Sequence, residues 1–212
     1  MRASVLQTSA AIGTALPRER LNVPMRPRQR SAPTLSARSA LRTATHDIHE
    51  RLHRHPALSR LAAGTVDRDE YRHLLARSYG FYAVVEPMLS LGGGLTDCLA
   101  GDLAELGLSA DAIAALPRCA PPPIGCGYVE MIGARYVLLG ASLGGKVMAR
   151  ALAGRASGAA ALPVRFLTGV STDDWSRFVV GLDTNLPDAA AQDRAAAAAV
   201  AMFVAYEEWM SA

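Results

Sequence analysis

The sequence predicts an all-α protein built as a single helical-bundle domain. Three observations carry that expectation. Apolar residues recur three and four positions apart through most of the chain, the period of a helix face. Alanine is abundant while Phe, Trp and Tyr make up only 6% of residues, a balance that favours helices over sheets. Proline and glycine gather in short clusters between the periodic segments, where they act as connectors. With 212 residues, half of them apolar, the chain can bury one sizeable core.

The first helix is predicted to start near Thr34 or Ser36. Leu41, Thr45, Ile48 and Leu52 share one face, and Pro56 ends the run. A short turn over Leu58 to Ala62 is closed by Gly64. Asp67 with Glu70 three residues on forms a capping-box pattern, opening a long helix with Tyr71, Leu74, Leu75, Ser78, Tyr79, Tyr82, Val85 and Glu86 on a broad stripe. Gly92, Gly93 and Gly94 read as a terminator or hinge. They are no phosphate loop, because neither a preceding strand nor the Lys-Ser/Thr of such a loop is present. One or two helices follow over 95–116, with Ser109 as a cap, and the four prolines between Pro117 and Gly127 mark a surface connection. Tyr128 to about Ala153 reads as an apolar helix rich in small residues, and Gly154 to Pro163 as a link. Phe166 to Gly169 gives a turn, Ser171 to Leu182 a helix capped by Ser171 or Thr172, and Asp188 to Met210 the last helix. The expected total is about seven helices.

Charge is divided unevenly. Residues 1–40 hold seven arginines and one acid, Glu19, whereas residues 41–212 hold fifteen Lys+Arg against eighteen Asp+Glu. Residues 1–37 are therefore read as a disordered basic leader with scattered prolines, and 38–212 as the domain. The leader lacks the apolar centre of a secretory signal, and Met25 is an alternative start. So small a basic segment ahead of a mildly acidic body does not predict nucleic-acid binding. No run approaches the length of apolar sequence that spans a membrane. Cys98, Cys119 and Cys126 lack zinc-type spacing and read as free thiols of a reducing, cytoplasmic setting.

Two patterns bear on chemistry. His49-Glu50-Arg51-Leu52-His53 has the spacing H-E-x-x-H, which on a helix places both imidazoles on one face. A zinc hydrolase would use both and needs a third ligand, for which only Glu70 and His73 lie nearby. The other reading takes His49 alone as an axial ligand of haem iron. Arg42, seven residues earlier, stands roughly 10 Å up nearly the same face at 1.5 Å per residue, a separation that suits a propionate at a porphyrin edge. The second pattern is Gly140-Ala141-Ser142-Leu143-Gly144-Gly145. Each helical glycine costs roughly 1 kcal/mol against alanine, so the glycines answer either close helix packing or a flat ligand on the backbone.

Several stretches in order resemble the biliverdin-producing haem oxygenases, especially the bacterial branch that accompanies bacteriophytochromes. Leu41-Arg42-x-Ala44-Thr45-x-x-x-His49 resembles the family's proximal-helix motif. Gly64-x-Val66-x-Arg68-x-x-Tyr71, then Tyr79-Gly80-Phe81-Tyr82 and Glu86, is similar to its next helix. Tyr136-Val137-Leu138-x-Gly140-x-x-Leu143-Gly144-Gly145 resembles the distal helix, and Phe166, Trp175, Phe203 and Trp209 fit the C-terminal helices. The likeness runs from about 38 to 210.

The resemblance implies a haem-oxygenase-like bundle in which haem is both substrate and cofactor. O2 and an external electron donor, a reductase or a ferredoxin- or flavodoxin-type protein, would give biliverdin, carbon monoxide and ferrous iron. A bacteriophytochrome would be a natural biliverdin acceptor. His49 would be the proximal ligand. Arg42 and Arg135 align with family positions that hold propionates, with Lys146 and Arg177 as weaker candidates. Gly140, Gly144 and Gly145 would let the distal helix close on the porphyrin. The chain departs from the family at Ala141, where many members carry an aspartate that organises the proton-delivering water, and at Leu139, where a glutamate is common. Loosened backbone carbonyls and Ser142 are the substitutes expected here. The alternative is a non-catalytic haem carrier on the same fold.

Overall fold

The structure, a computed structural model, describes residues 36–91, 94–154 and 161–212, with the side chains of Ser142 and Thr172 excepted. The expected leader lies outside the described residues apart from its last two positions. Ten helices and no strand occur among the described residues. The surplus over the expected seven comes from short pieces, since single turns carry too little periodicity to register in a sequence window.

Helix α1 (Ala37–Arg54) begins where the Ser36 hydroxyl accepts a hydrogen bond from the Ser39 N–H. Its buried face is Ala37, Leu41, Thr45, Ile48 and Leu52, the expected stripe extended by one turn. It stops because His55 is extended ahead of Pro56, which occupies the first position of α2 (Pro56–Ala62). The capping box is formed in full at the start of α3 (Arg68–Met88). The Asp67 carboxylate accepts from the Glu70 N–H at 2.8 Å, and Glu70 returns the bond to the Asp67 N–H at 3.2 Å. At the other end Ser90 turns into the left-handed region at φ 51°, and the Leu91 N–H bonds back to the Glu86 carbonyl.

Two buried carboxylates start the helices that follow. Glu86 is 1% exposed and accepts from the Leu95 and Thr96 N–H groups at 2.9 and 2.7 Å, and from the Thr96 hydroxyl. It therefore neutralises donors at the opening of α4 (Gly94–Glu105). Asp102, on α4, accepts from the backbone N–H groups of Arg165 and Phe166 and pairs with the Arg165 guanidinium at 3.1 Å. It thereby fixes the first turn of α7 (Arg165–Thr168). The segment expected to hold one or two helices over 95–116 divides at Gly107, φ 97°, into α4 and α5 (Ala110–Ala114), capped by Ser109 as expected.

Helix α6 (Tyr128–Ala153) continues unbroken through its glycines. Helix α8 (Thr172–Val180) takes Ser171 as cap, α9 (Leu182–Asn185) is one turn, and α10 (Ala189–Ser211) starts on the Asp188 side chain. Helix α10 packs on both α1 and α6, while α3 runs against α4 and α7 bridges α4 and α6. The α6–α10 crossing is made at backbone distance: a Cβ on Gly133 would overlap the Ala195 carbonyl. Cys98, Cys119 and Cys126 are free, and no helix among the described residues is long and apolar enough to cross a membrane.

An ion pair clamps α1 to α10. Arg51 donates from Nε and Nη2 to the two oxygens of Glu207, each at 3.0 Å. That hydrogen bonding holds the Glu207 carboxyl below its ordinary range. A depressed carboxylate contributes stability above its unfolded value and loses it as the pH falls through the folded one. Glu207→Gln is therefore expected to be less stable than the parent at pH 7, by less than about 1 kcal/mol for so exposed a pair. Urea unfolding at a series of pH values should show the difference closing as the pH drops below the ordinary glutamate value of about 4.3. A gap that persists unchanged at pH 3 would show that the pair is not its source.

Candidate functional site

One largely apolar cleft opens between the helices. Helix α1 contributes His49, Leu52 and His53, and α6 contributes residues from Val137 to Met148. Phe81 and Tyr82 come from α3, Phe166 and Leu167 from α7, and Phe203 and Tyr206 from α10. Among the described residues the polar groups on the lining are two imidazoles and two phenols, with no carboxylate.

His49 projects from α1 one residue after buried Ile48, so that it borders the core without entering it; its side chain is 54% exposed. Its ring meets Phe203 edge-on at 6.1 Å between centroids and His53 at 4.4 Å. Partial burial, followed by the neighbouring His53, lowers its pKa from the ordinary histidine value. The imidazole is thus biased to the neutral form, the form that can ligate a metal.

The three glycines between Gly140 and Gly145 on α6 have separate explanations. A Cβ on Gly140 would stand 3.4 Å from the Trp175 ring, which packs there and against Tyr136. A Cβ on Gly145 would overlap the Leu167 carbonyl, so this glycine lets α7 approach backbone to backbone. A Cβ on Gly144 would meet nothing within 4 Å, and this glycine lines the cleft. Close packing accounts for Gly145 and Gly140, whereas Gly144 leaves room that the protein itself does not fill. Ala141 also lines the cleft; Ser142 follows it on α6.

The cationic residues fall elsewhere. Arg42 is exposed on α1 and does not line the cleft. With Arg38 it sits near Tyr136, whose hydroxyl burial pushes up in pKa and these arginines pull back. Arg135 does not line the cleft. It donates from Nε and Nη2 to the Leu89 carbonyl at 3.0 and 2.6 Å, completing the end of α3. Arg177 is paired with Asp174. Two lining residues received no role from the sequence, Tyr82 and Tyr206. Burial raises the pKa of both, and Tyr206 lies 3.3 Å from the Ser78 hydroxyl. They read as core aromatics because their positions match the buried stripe of their helices, and only the assembled cleft separates the two possibilities.

The site thus combines, in an all-α fold, a half-exposed, neutral-biased histidine and one open glycine, Gly144, on the same apolar cleft. Residues 35–91 match the family described as Heme oxygenase. A heme oxygenase of Xanthomonas campestris pv. campestris (strain 8004) is 34% identical over 164 residues, covering 72% of this chain and 95% of that protein. The chain belongs to the haem oxygenase family.

The division among the glycines gives a direct test. Gly145→Ala should lose stability, about 1–3 kcal/mol from overpacking against α7. Gly144→Ala should be neutral or gain up to about 1 kcal/mol of helix propensity. Urea unfolding of the two variants compares them, and equal losses would contradict the placement of Gly144 at open space.

Proposed function

We propose that this chain is a haem oxygenase in the full sense, cleaving haem with O2 and external electrons to biliverdin, carbon monoxide and ferrous iron. The observation that carries the reading is the shared cleft: the His49 imidazole and the open backbone at Gly144 line one apolar space. The residues fit the group on three counts. The lining is apolar where a macrocycle would lie, a neutral-biased imidazole is available to iron, and unfilled space borders α6.

Haem, when bound, supplies the iron centre at which O2 is activated and the ring carbon that is oxidised. The protein's part is binding, orientation and proton supply. His49 would be the side chain that holds the iron from α1, with the Phe203 ring edge-on beside its imidazole. Gly144 would leave room for the macrocycle beside the backbone of α6. Leu52, Leu138, Phe166 and their neighbours exclude water. Arg42, exposed two turns before His49, offers a guanidinium to a propionate at the rim. With Ala141 in place of a carboxylate, proton supply falls to backbone carbonyls near Gly140 and to Ser142. The electron donor, a reductase or a ferredoxin- or flavodoxin-type protein, a bacteriophytochrome as biliverdin acceptor and a cytoplasmic setting belong to the same proposal.

A second reading, a haem carrier without turnover, is favoured by one feature: among the described residues no carboxylate lines the cleft. Incubation of the full chain with haemin, O2 and a reductant separates the two. Cleavage predicts loss of the Soret band with growth of a biliverdin band, whereas a stable Soret band supports the carrier. His49→Ala should abolish the histidine-ligated spectrum, and added imidazole should restore it. Ala141→Asp should preserve or raise biliverdin yield and Gly144→Leu should block it. Equal turnover in the parent, Ala141→Asp and Gly144→Leu would remove α6 from the site.

A further inference from the structure

The H-E-x-x-H segment holds more ligating capacity than one axial imidazole uses. His49, Glu50 and His53 stand at positions i, i+1 and i+4 of α1. His49 and His53 are therefore one turn apart, and Glu50 and His53 three residues apart, on one surface of the helix. One ligand atom from each lies within 4.8 Å of the other two, and this is the group of three so placed among the described residues. The imidazole rings cross at 75° with centroids 4.4 Å apart, and the Glu50 carboxylate is 3.9 Å from His49 Nδ1.

We propose that in the haem-free chain His49, Glu50 and His53 form a site for one divalent transition-metal ion, and that this ion and haem exclude each other. Two imidazoles and one carboxylate on one face, with the remaining positions open to water, are a donor set suited to ferrous iron, cobalt and zinc. Donors on one such ion lie about 3 Å apart, given metal–nitrogen bonds of about 2.1 Å, so the three side chains must draw together from their present spacing. They are free to do so. The His49 and Glu50 side chains are 54% and 47% exposed. Glu50 has no partner but His49, and His53 none but the His49 ring, among the described residues. No buried contact has to break.

Exclusion follows from position. Both imidazoles line the cleft, so a hydrated ion held between them occupies the face of α1 that a macrocycle on His49 would cover. In function the site offers the ferrous iron freed by ring opening a set of donors next to the place of its release. The iron keeps its oxidation state and exchanges ring nitrogens for side-chain donors and water. This functional sense rests on the haem-cleaving reading above; the metal site itself does not.

The test is titration of the untagged, haem-free full chain with Co2+, followed by its d–d absorption and by calorimetry. One ion per chain is expected, with binding weakened about tenfold or more in His53→Ala and in Glu50→Ala. Haem titration by the Soret band should give Glu50→Ala the parent's affinity, since Glu50 does not line the cleft. Prior addition of Co2+ should raise the apparent haem Kd of the parent and leave that of Glu50→Ala nearly unchanged. Absence of Co2+ binding at millimolar concentration, or binding that survives both substitutions unchanged, overturns the site. Unchanged haem affinity of the parent in saturating Co2+ overturns the exclusion. If Co2+ behaves as expected while the parent fails to take up haem without it, the haem reading falls and the metal site stands.

Discussion

Backbone-to-backbone contact along α6 is the constraint on which the site depends. Gly133 brings α6 against α10 at Ala195, and Gly145 brings it against α7 at Leu167. A methyl group at either point would overlap a carbonyl and push the helices apart. Gly144 lies one residue from the second contact yet faces open space, because neighbouring positions on a helix point about 100° apart. One short glycine stretch thus serves two ends: one side seals α7 onto the bundle, and the adjoining side keeps the cleft open.

The other wall is held differently. Helix α1 rests on its apolar stripe and is fastened at both ends by polar contacts. The Ala37 N–H donates to Asp183 at 2.7 Å, and Arg51 binds Glu207. His49 lies between those anchors, and its height on the helix is fixed although its imidazole is more than half exposed. Buried charge does the fastening elsewhere. Glu86 and Asp102 sit in the core as helix-start acceptors, and their satisfied oxygens set where α4 and α7 begin and hence where Leu95, Phe166 and Leu167 enter the cleft. The cleft is therefore assembled chiefly from helices rather than from loops.

Local order was legible in the sequence wherever it rests on contacts within a few residues. The α1 stripe, the Asp67–Glu70 capping box, the Ser109 and Ser171 caps and the stop before Pro56 all follow from neighbours along the chain, and each takes its expected form. His49 and the glycines stood out for the same reason, since spacing alone put them on helices. Arg135 shows where this ends. Its alignment suggested an anion, but its guanidinium lies on the Leu89 carbonyl, a partner 46 residues away that no local pattern announces.

By itself, then, the sequence determined the all-α class and most helix boundaries. Helical periodicity and capping are properties of adjacent residues, and they survive without knowledge of what lies opposite. Tertiary structure decided which glycine is structural and which borders empty space, and which arginines are committed to carbonyls or acids. Those outcomes depend on distances between segments far apart in the chain, or on side-chain rotation about one helix turn, and neither is encoded in spacing.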